Sequence, residues 1–292
     1  MHLLTNVSAG AHGVASLTNV GNAHFSAQRH NFARSCYELA LSEDPHFLTA
    51  VLNLGLVHLV QNEIQEAEMR VLQALDISPQ YAYAHMSLGN VHASKKPPAT
   101  GPALTAYQSA YTLEPSLSGI GSSLGEAAIR HAETLTSAGD ISNAELVLRK
   151  VTHVASPMHY SAAVERLITL LRDTGQPSAA LGAARTGLQY QPGNVRVMLG
   201  QAMTHRTMGH LDKALAVLRR AANIDPKEPE VLANYGLAMS HSGRNSEAIH
   251  IYKKVIKVRP DFVEAYVTLG EACANIHDYT CAIKAYKDAL RV

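Results

Sequence analysis

Between residues 229 and 262, PEVLANYGLAMSHSGRNSEAIHIYKKVIKVRPDF, apolar residues return every three or four positions in two runs separated by a polar turn at Gly243. That spacing predicts two amphipathic helices joined by a short turn. Counting Pro229 as position 1, Leu232, Tyr235, Gly236, Met239, Gly243, Ala248, Tyr252, Val255 and Pro260 fall at positions 4, 7, 8, 11, 15, 20, 24, 27 and 32. Large residues at 4, 7, 11 and 24 are expected to fill the space between the helices. Small ones at 8, 20 and 27 let the axes approach, and the proline at 32 ends the second helix because it has no N–H to donate.

The template fits repeatedly, and prolines at 45, 79, 115, 157, 192, 226 and 260 set its register. The first unit, 14–47, carries Leu17, Val20, Gly21, Ala33, Tyr37 and Ala40; the second, 48–81, carries Val51, Leu54, Gly55, Ala67, Val71 and Ala74. In the third, 82–117, Leu88 and Gly89 fit at the front. Ala103, Tyr107 and Ala110 fit at the back if the turn KKPPATGP is two residues longer. Residues 118–124, rich in Ser and Gly, read as an irregular connection. A fourth unit at 125–158 is regular only in its second half, since His131 and Ala132 stand where Leu and Gly are expected. The fifth (161–194), sixth (195–228), seventh (229–262) and eighth (from Val263) follow, with residues 1–13 left as an N-terminal extension. Bulky replacements of Gly55, Gly89 or Gly236 should overpack the seam and cost about 1–3 kcal/mol.

These residues and the unit length of 34 resemble the tetratricopeptide repeat. The resemblance covers nearly all of 14–292. It implies an all-α fold, a right-handed α-solenoid or superhelix of antiparallel helix pairs with about eight units, whose first helices line a concave face. It also implies a continuous ribbon of core in place of a single ball. Arrays of this family usually end in an extra solvating helix, and nothing follows Val292. The chain is therefore expected to be a piece of a longer protein, with cover by a partner or by a second copy as the alternative.

Composition narrows the function. A net charge of +1 offers no global attraction to nucleic acid or to an anionic membrane. The N-terminus lacks a basic leader, and no stretch approaches the ~18 apolar residues of a membrane span, so an intracellular, cytoplasmic protein is expected. Cys36, Cys273 and Cys281 are too few and scattered for a disulfide framework and read as small apolar fillers of helices.

Histidines recur at position 11 as His24, His58, His92 and His205. Equivalent positions lie about a helix diameter apart, ~10 Å, too far to share one ion bound at ~2 Å. They read as seam packing, and no metal or other cofactor is expected. No Gly-rich phosphate loop, H-E-x-x-H or G-x-S-x-G elbow is present, and Glu66 and Glu68 at i, i+2 do not face one another, so no enzyme activity is expected.

In the resembling family, positions 2, 5, 6, 9, 12 and 13 of the first helix face the groove. Position 6 supplies Asn19, Asn53 and Asn234, whose amides suit the backbone of an extended peptide. This is partly similar to the asparagine ladder in the repeats of O-linked N-acetylglucosamine transferase. The middle units place Arg130, Arg166, Arg172, Arg196 and Arg206 at groove positions, interleaved with Glu126, Glu133 and Glu165. Two readings stand: a site for acidic or phosphorylated segments, or mutual neutralisation along solvated faces.

The reading that follows is a noncatalytic scaffold for complex assembly, binding a protein or peptide segment in its groove, with acidic groups as the ligands its arginines fit. One alternative is the substrate-targeting portion of a larger enzyme such as a glycosyltransferase. RNA binding is disfavoured by the absence of a basic stripe.

Overall fold

The computed structural model describes residues 11–151 and 157–292, and the regular elements among them are all α-helices. They are α1 (Ala11–Ser26), α2 (His30–Glu43), α3 (Leu48–Val60), α4 (Ile64–Ile77), α5 (Ala82–Ser94), α6 (Thr100–Leu113), α7 (Ile120–Ser137) and α8 (Ile141–Val151), followed by α9 (Pro157–Asp173), α10 (Pro177–Tyr190), α11 (Val195–Thr207), α12 (Leu211–Ile224), α13 (Pro229–His241), α14 (Asn245–Val258), α15 (Val263–Asn275) and α16 (Tyr279–Ala289). They fall into two compact units. The first holds α1 to α7 and the front of α8; the second holds the last turn of α8, most of α9 and α10 to α16.

Local chemistry sets the helix ends. α2, α4, α6, α10, α12 and α14 each stop two residues before Pro45, Pro79, Pro115, Pro192, Pro226 and Pro260, because the residue before a proline is pushed out of the helical region. Between the two helices of a repeat, position 15 turns left-handed. Gly139, Gly175, Gly209 and Gly243 adopt it freely, while Gln28, Asn62 and His277 hold it with φ of 58, 61 and 62°. The turn lets the next N–H reach back to the position 11 carbonyl, as from Glu63 to His58 and from Arg244 to Met239, both at 2.9 Å. In the third repeat the turn is longer, as its sequence predicts, yet Ala99 still donates to the His92 carbonyl at 3.0 Å.

The close approach at position 8 has a specific partner, the tyrosine at position 24. A Cβ on Gly21, Gly89, Gly236 or Gly270 would lie 2.5 to 2.7 Å from a ring carbon of Tyr37, Tyr107, Tyr252 or Tyr286 respectively. In the second repeat position 24 is Val71, and a Cβ on Gly55 would meet its nearest neighbours at 3.2 Å. The fifth repeat inverts the arrangement. Ile168 occupies position 8, and the space is made by Gly200 opposite it and by Gly187 against Val164.

Two expectations are corrected. Within 118–124, only the first residues are irregular: Gly119 turns with φ +82° and α7 begins at Ile120. Ile120 and Leu124, four apart, are both buried, an apolar face that the surrounding Ser and Gly hide from a composition reading. Second, Cys273 and Cys281 are joined by a disulfide with Cα atoms 5.8 Å apart. The eight-residue spacing looks unrelated along one helix, but the turn between α15 and α16 folds position 19 onto position 11.

The position 11 histidines lie in the seam. His58 is buried with Nδ1 2.6 Å from Glu63 Oε2, which holds that carboxyl below its ordinary pKa. His92 and His205 each bury Nδ1 without a hydrogen bond. Burial, with Lys95 beside His92 and with Lys213 and His210 near His205, pushes both pKa values below the ordinary 6.5. The unfolded chain then binds more protons than the native one, so these residues support stability above about pH 6.5, and that support is lost as the pH falls below it. His205→Gln is expected to shrink the drop in urea midpoint between about pH 7.5 and about pH 5; an unchanged drop would assign it to other groups.

Candidate functional site

First helices touch across successive repeats, α1 with α3, α3 with α5, α11 with α13 and α13 with α15, so within each unit they form the inner row. The position 24 tyrosine passes over the glycine of its own first helix and brings its hydroxyl to this row. In the first unit Tyr37 is buried, and its hydroxyl donates to Asn22 Oδ1 at 2.8 Å. Asn53 Nδ2 donates to the same oxygen at 2.7 Å. Burial is the main reason the Tyr37 pKa is pushed up to about 12; nearby Cys36 adds to it, and Asn53 opposes it. The network therefore stays protonated and neutral.

Tyr107 repeats the pattern, donating to Asn90 Oδ1 at 2.7 Å. Its pKa is pushed up to about 12, by burial first and by Glu126 next, with Arg130 opposing. A cavity of about 280 Å3 opens over this pair, lined by Asn90, Ser94, Tyr107, Ser123, Glu126 and Arg130 among others. It presents amide, hydroxyl and charged groups together, a set that suits the polar backbone of a bound segment.

The expected site residues separate by context. Asn53 spends one amide proton on Asn22, so it holds the seam as well as facing it. Asn19 is exposed on α1. Arg130 is paired with Glu126 one turn back on α7, and Arg196 lies 3.6 Å from Glu165. Arg166 is exposed on α9.

In the second unit α9, α11 and α13 bring Arg172, Arg206 and Asn234 together. Arg172 is largely buried, donates to Asp173 Oδ1 at 3.0 Å, and sets Nη1 3.7 Å from Met203 Sδ on α11. Arg206 Nη1 reaches Asn234 Oδ1 at 3.4 Å, and Asn234 Nδ2 donates to the Glu230 carbonyl at 2.9 Å. Burial and the neighbouring charge of Arg172 lower the Arg206 pKa. Among the described residues no carboxylate is paired with Arg206, unlike the arginines around it.

The sequence reading missed the tyrosines. Tyr37, Tyr107 and Tyr252 appear in it as packing residues, whereas two of them anchor the polar network. The available signal was the coincidence of Tyr at position 24 with Asn at position 9, present as Asn22 with Tyr37 and Asn90 with Tyr107. No helix among the described residues is long and apolar enough to cross a membrane, and no group of three or more His, Cys, Asp or Glu side chains among them is arranged to hold a metal ion.

A search among curated proteins gives no match to this sequence. Among solved structures, a crystal structure of MamA is 21% identical, covering 55% of this chain and 92% of its own, with a TM-score of 0.48. A second crystal structure of MamA protein is 20% identical, covering 57% and 90%, with a TM-score of 0.47. One family profile described as tetratricopeptide repeat matches residues 171–234, and another with the same description matches 20–82 and 240–291. With repeats matched across most of its length, and helix pairs in the register those repeats require, the chain belongs to the tetratricopeptide repeat family.

Proposed function

We propose that this chain is a noncatalytic protein-interaction scaffold that holds an extended segment of a partner protein along the inner row of first helices, with acidic groups of the partner meeting the second unit. The observation that carries the reading is the gathering of hydrogen-bonding groups along the row of first helices. Asn22, Tyr37 and Asn53 in one unit, and Arg172, Arg206 and Asn234 in the other, sit on the inner row, while the apolar contacts run between the helices of each pair. Hydrogen-bonding groups held in place by their own network lose little freedom on binding. They suit a main chain whatever its side chains.

Capture of partners by the full chain tests the reading. Asn22→Ala with Asn53→Ala, and separately Arg206→Ala, are expected to lose partners that the wild type retains. Arg219→Ala, exposed on the second helix α12, is expected to keep them. Circular dichroism at the assay temperature checks that each variant is folded. Equal recovery of every partner by folded inner-row variants would overturn the reading.

A further inference from the structure

The net charge of +1 is an average over two very different units. The first carries 6 Lys and Arg against 12 Asp and Glu and the second 19 against 12, so their net charges are −6 and +7. The excess in the second unit has a fixed place. Position 25 of its second helices is Arg149 on α8, Arg185 on α10, Arg219 on α12, Lys253 on α14 and Lys287 on α16, five cations in five consecutive repeats. The first three repeats have Glu38, Leu72 and Gln108 there, and position 26 adds Lys150, Arg220 and Lys254 to the ladder. The expectation of no basic stripe is thus corrected for the second unit: the stripe runs along second helices, away from the groove positions. All five rungs are exposed. Among the described residues Arg185, Arg219, Lys253 and Lys287 form no ion pair, while the carboxylates of α14 and α16 are taken, Glu247 by Arg244 and Asp288 by Arg291. Grooves with apolar walls lie beside the rungs. One of about 470 Å3 has Arg149 next to Tyr160, Val164 and Leu167; another of about 380 Å3 has Lys253 and Lys284 next to Tyr266 and Leu269.

We propose that this ladder binds a single-stranded nucleic acid, whose phosphate chain crosses the second helices from α8 to α16. The site is separate from the inner row of first helices and does not depend on how that row is used. Packed helices stand on the order of 10 Å apart, so the ladder offers one cation at about that interval and repeats it without change. An evenly charged polymer matches such a ladder in any register. A nucleic acid strand carries its charge at every nucleotide, whereas an extended polypeptide, at ~3.4 Å per residue, would need an acidic residue at about every third position throughout. A bilayer spreads its charge over a plane, and the ladder is at most two residues wide at positions 25 and 26. Exposed Lys and Arg on flexible stems read phosphate charge and not base sequence. The apolar grooves beside the rungs, each with a tyrosine in its wall, offer surface to unpaired base faces that a duplex keeps stacked.

The test titrates the full chain into a fluorescently labelled uridine oligomer of about 20 nucleotides, enough to cross the five rungs at ~6 Å per nucleotide, and follows anisotropy from about 0.05 to 0.5 M salt. Five phosphate contacts predict a slope of log affinity against log salt of about −3.5. Arg219→Gln with Lys253→Gln removes two of them. The slope should fall by about 1.4 and the affinity at about 0.1 M salt by about 25-fold, because counterion release contributes nothing near 1 M salt. Arg196→Gln with Lys227→Gln removes the same charge from the same unit away from the ladder, and should keep most of the affinity. Circular dichroism checks that both variants are folded. No binding at about 0.05 M salt, or equal weakening by the two pairs, overturns the proposal, the latter by assigning the attraction to net charge alone. Tighter binding of a duplex of the same length, of polyglutamate or of phosphatidylserine vesicles, each at equal charge concentration, overturns the choice of a single strand.

Discussion

Gly236→Ala is expected to destabilise the second unit by about 2 kcal/mol, whereas Gly55→Ala leaves the first nearly unchanged. Alanine is favoured over glycine inside a helix by about 1 kcal/mol, so each substitution starts with that gain. At Gly236 the new methyl meets the Tyr252 ring at 2.7 Å, and that ring is closely surrounded and fully buried. Overpacking of such a site costs up to about 3 kcal/mol. At Gly55 the nearest atoms are Arg70 Cβ and Val71 Cγ2 at 3.2 Å, which move aside by a few tenths of an ångström. The natural pairing of Gly55 with Val71 suggests the control. Tyr252→Val alone should cost about 3 kcal/mol through its cavity, and in that background Gly236→Ala should add little, so the double variant costs about 3 kcal/mol against a sum of about 5, a favourable coupling of about 2 kcal/mol in a double-mutant cycle. Urea denaturation of the four proteins measures this. Strict additivity would mean that the ring and the glycine do not define the seam.

Reducing the Cys273–Cys281 bond is expected to lower the stability of the second unit by about 2 kcal/mol. The link closes a loop with a sequence separation of 8. Restricting so short a loop in the unfolded chain accounts for roughly 2–3 kcal/mol in the chain-entropy view. Cys281→Ser should reproduce the effect, because Cys281 lies at the more open end while Cys273 is fully buried and keeps its apolar contacts as a thiol. Cys36 is buried in the first unit, with its thiol pKa raised by burial, and takes no part. The urea midpoint with and without a phosphine reductant gives the answer: no dependence on reductant in the wild type would show that the two cysteines are not bonded.

Much of the architecture was legible because it is decided locally. Pro45, Pro79 and Pro260 stop helices wherever they stand, Gly175, Gly209 and Gly243 make the left-handed turn at little cost, and the three- and four-residue spacing marks each buried face. The longer turn of the third repeat could be counted from Ala103 and Tyr107. Where local signals were diluted, the reading slipped. Ile120 and Leu124 begin α7 inside a Ser and Gly context, and only their shared burial reveals the helix.

The candidate site was legible as a set of positions but not as a set of partners. Position 6 and position 12 pointed to Asn53, Asn234 and Arg206, yet what each does depends on a residue about one repeat away: Asn22 for Asn53, Arg206 for Asn234, Glu165 for Arg196. Sequence by itself determined the helices, their ends and the register, since these follow from propensity, turn chemistry and periodicity within some ten residues. Only the tertiary structure decided which side chains in that register meet and which cysteines join. Those outcomes depend on the distance and angle between neighbouring helices, set by how each seam packs, glycine against tyrosine in four repeats and against valine or isoleucine in others, and recorded in no single stretch of the chain.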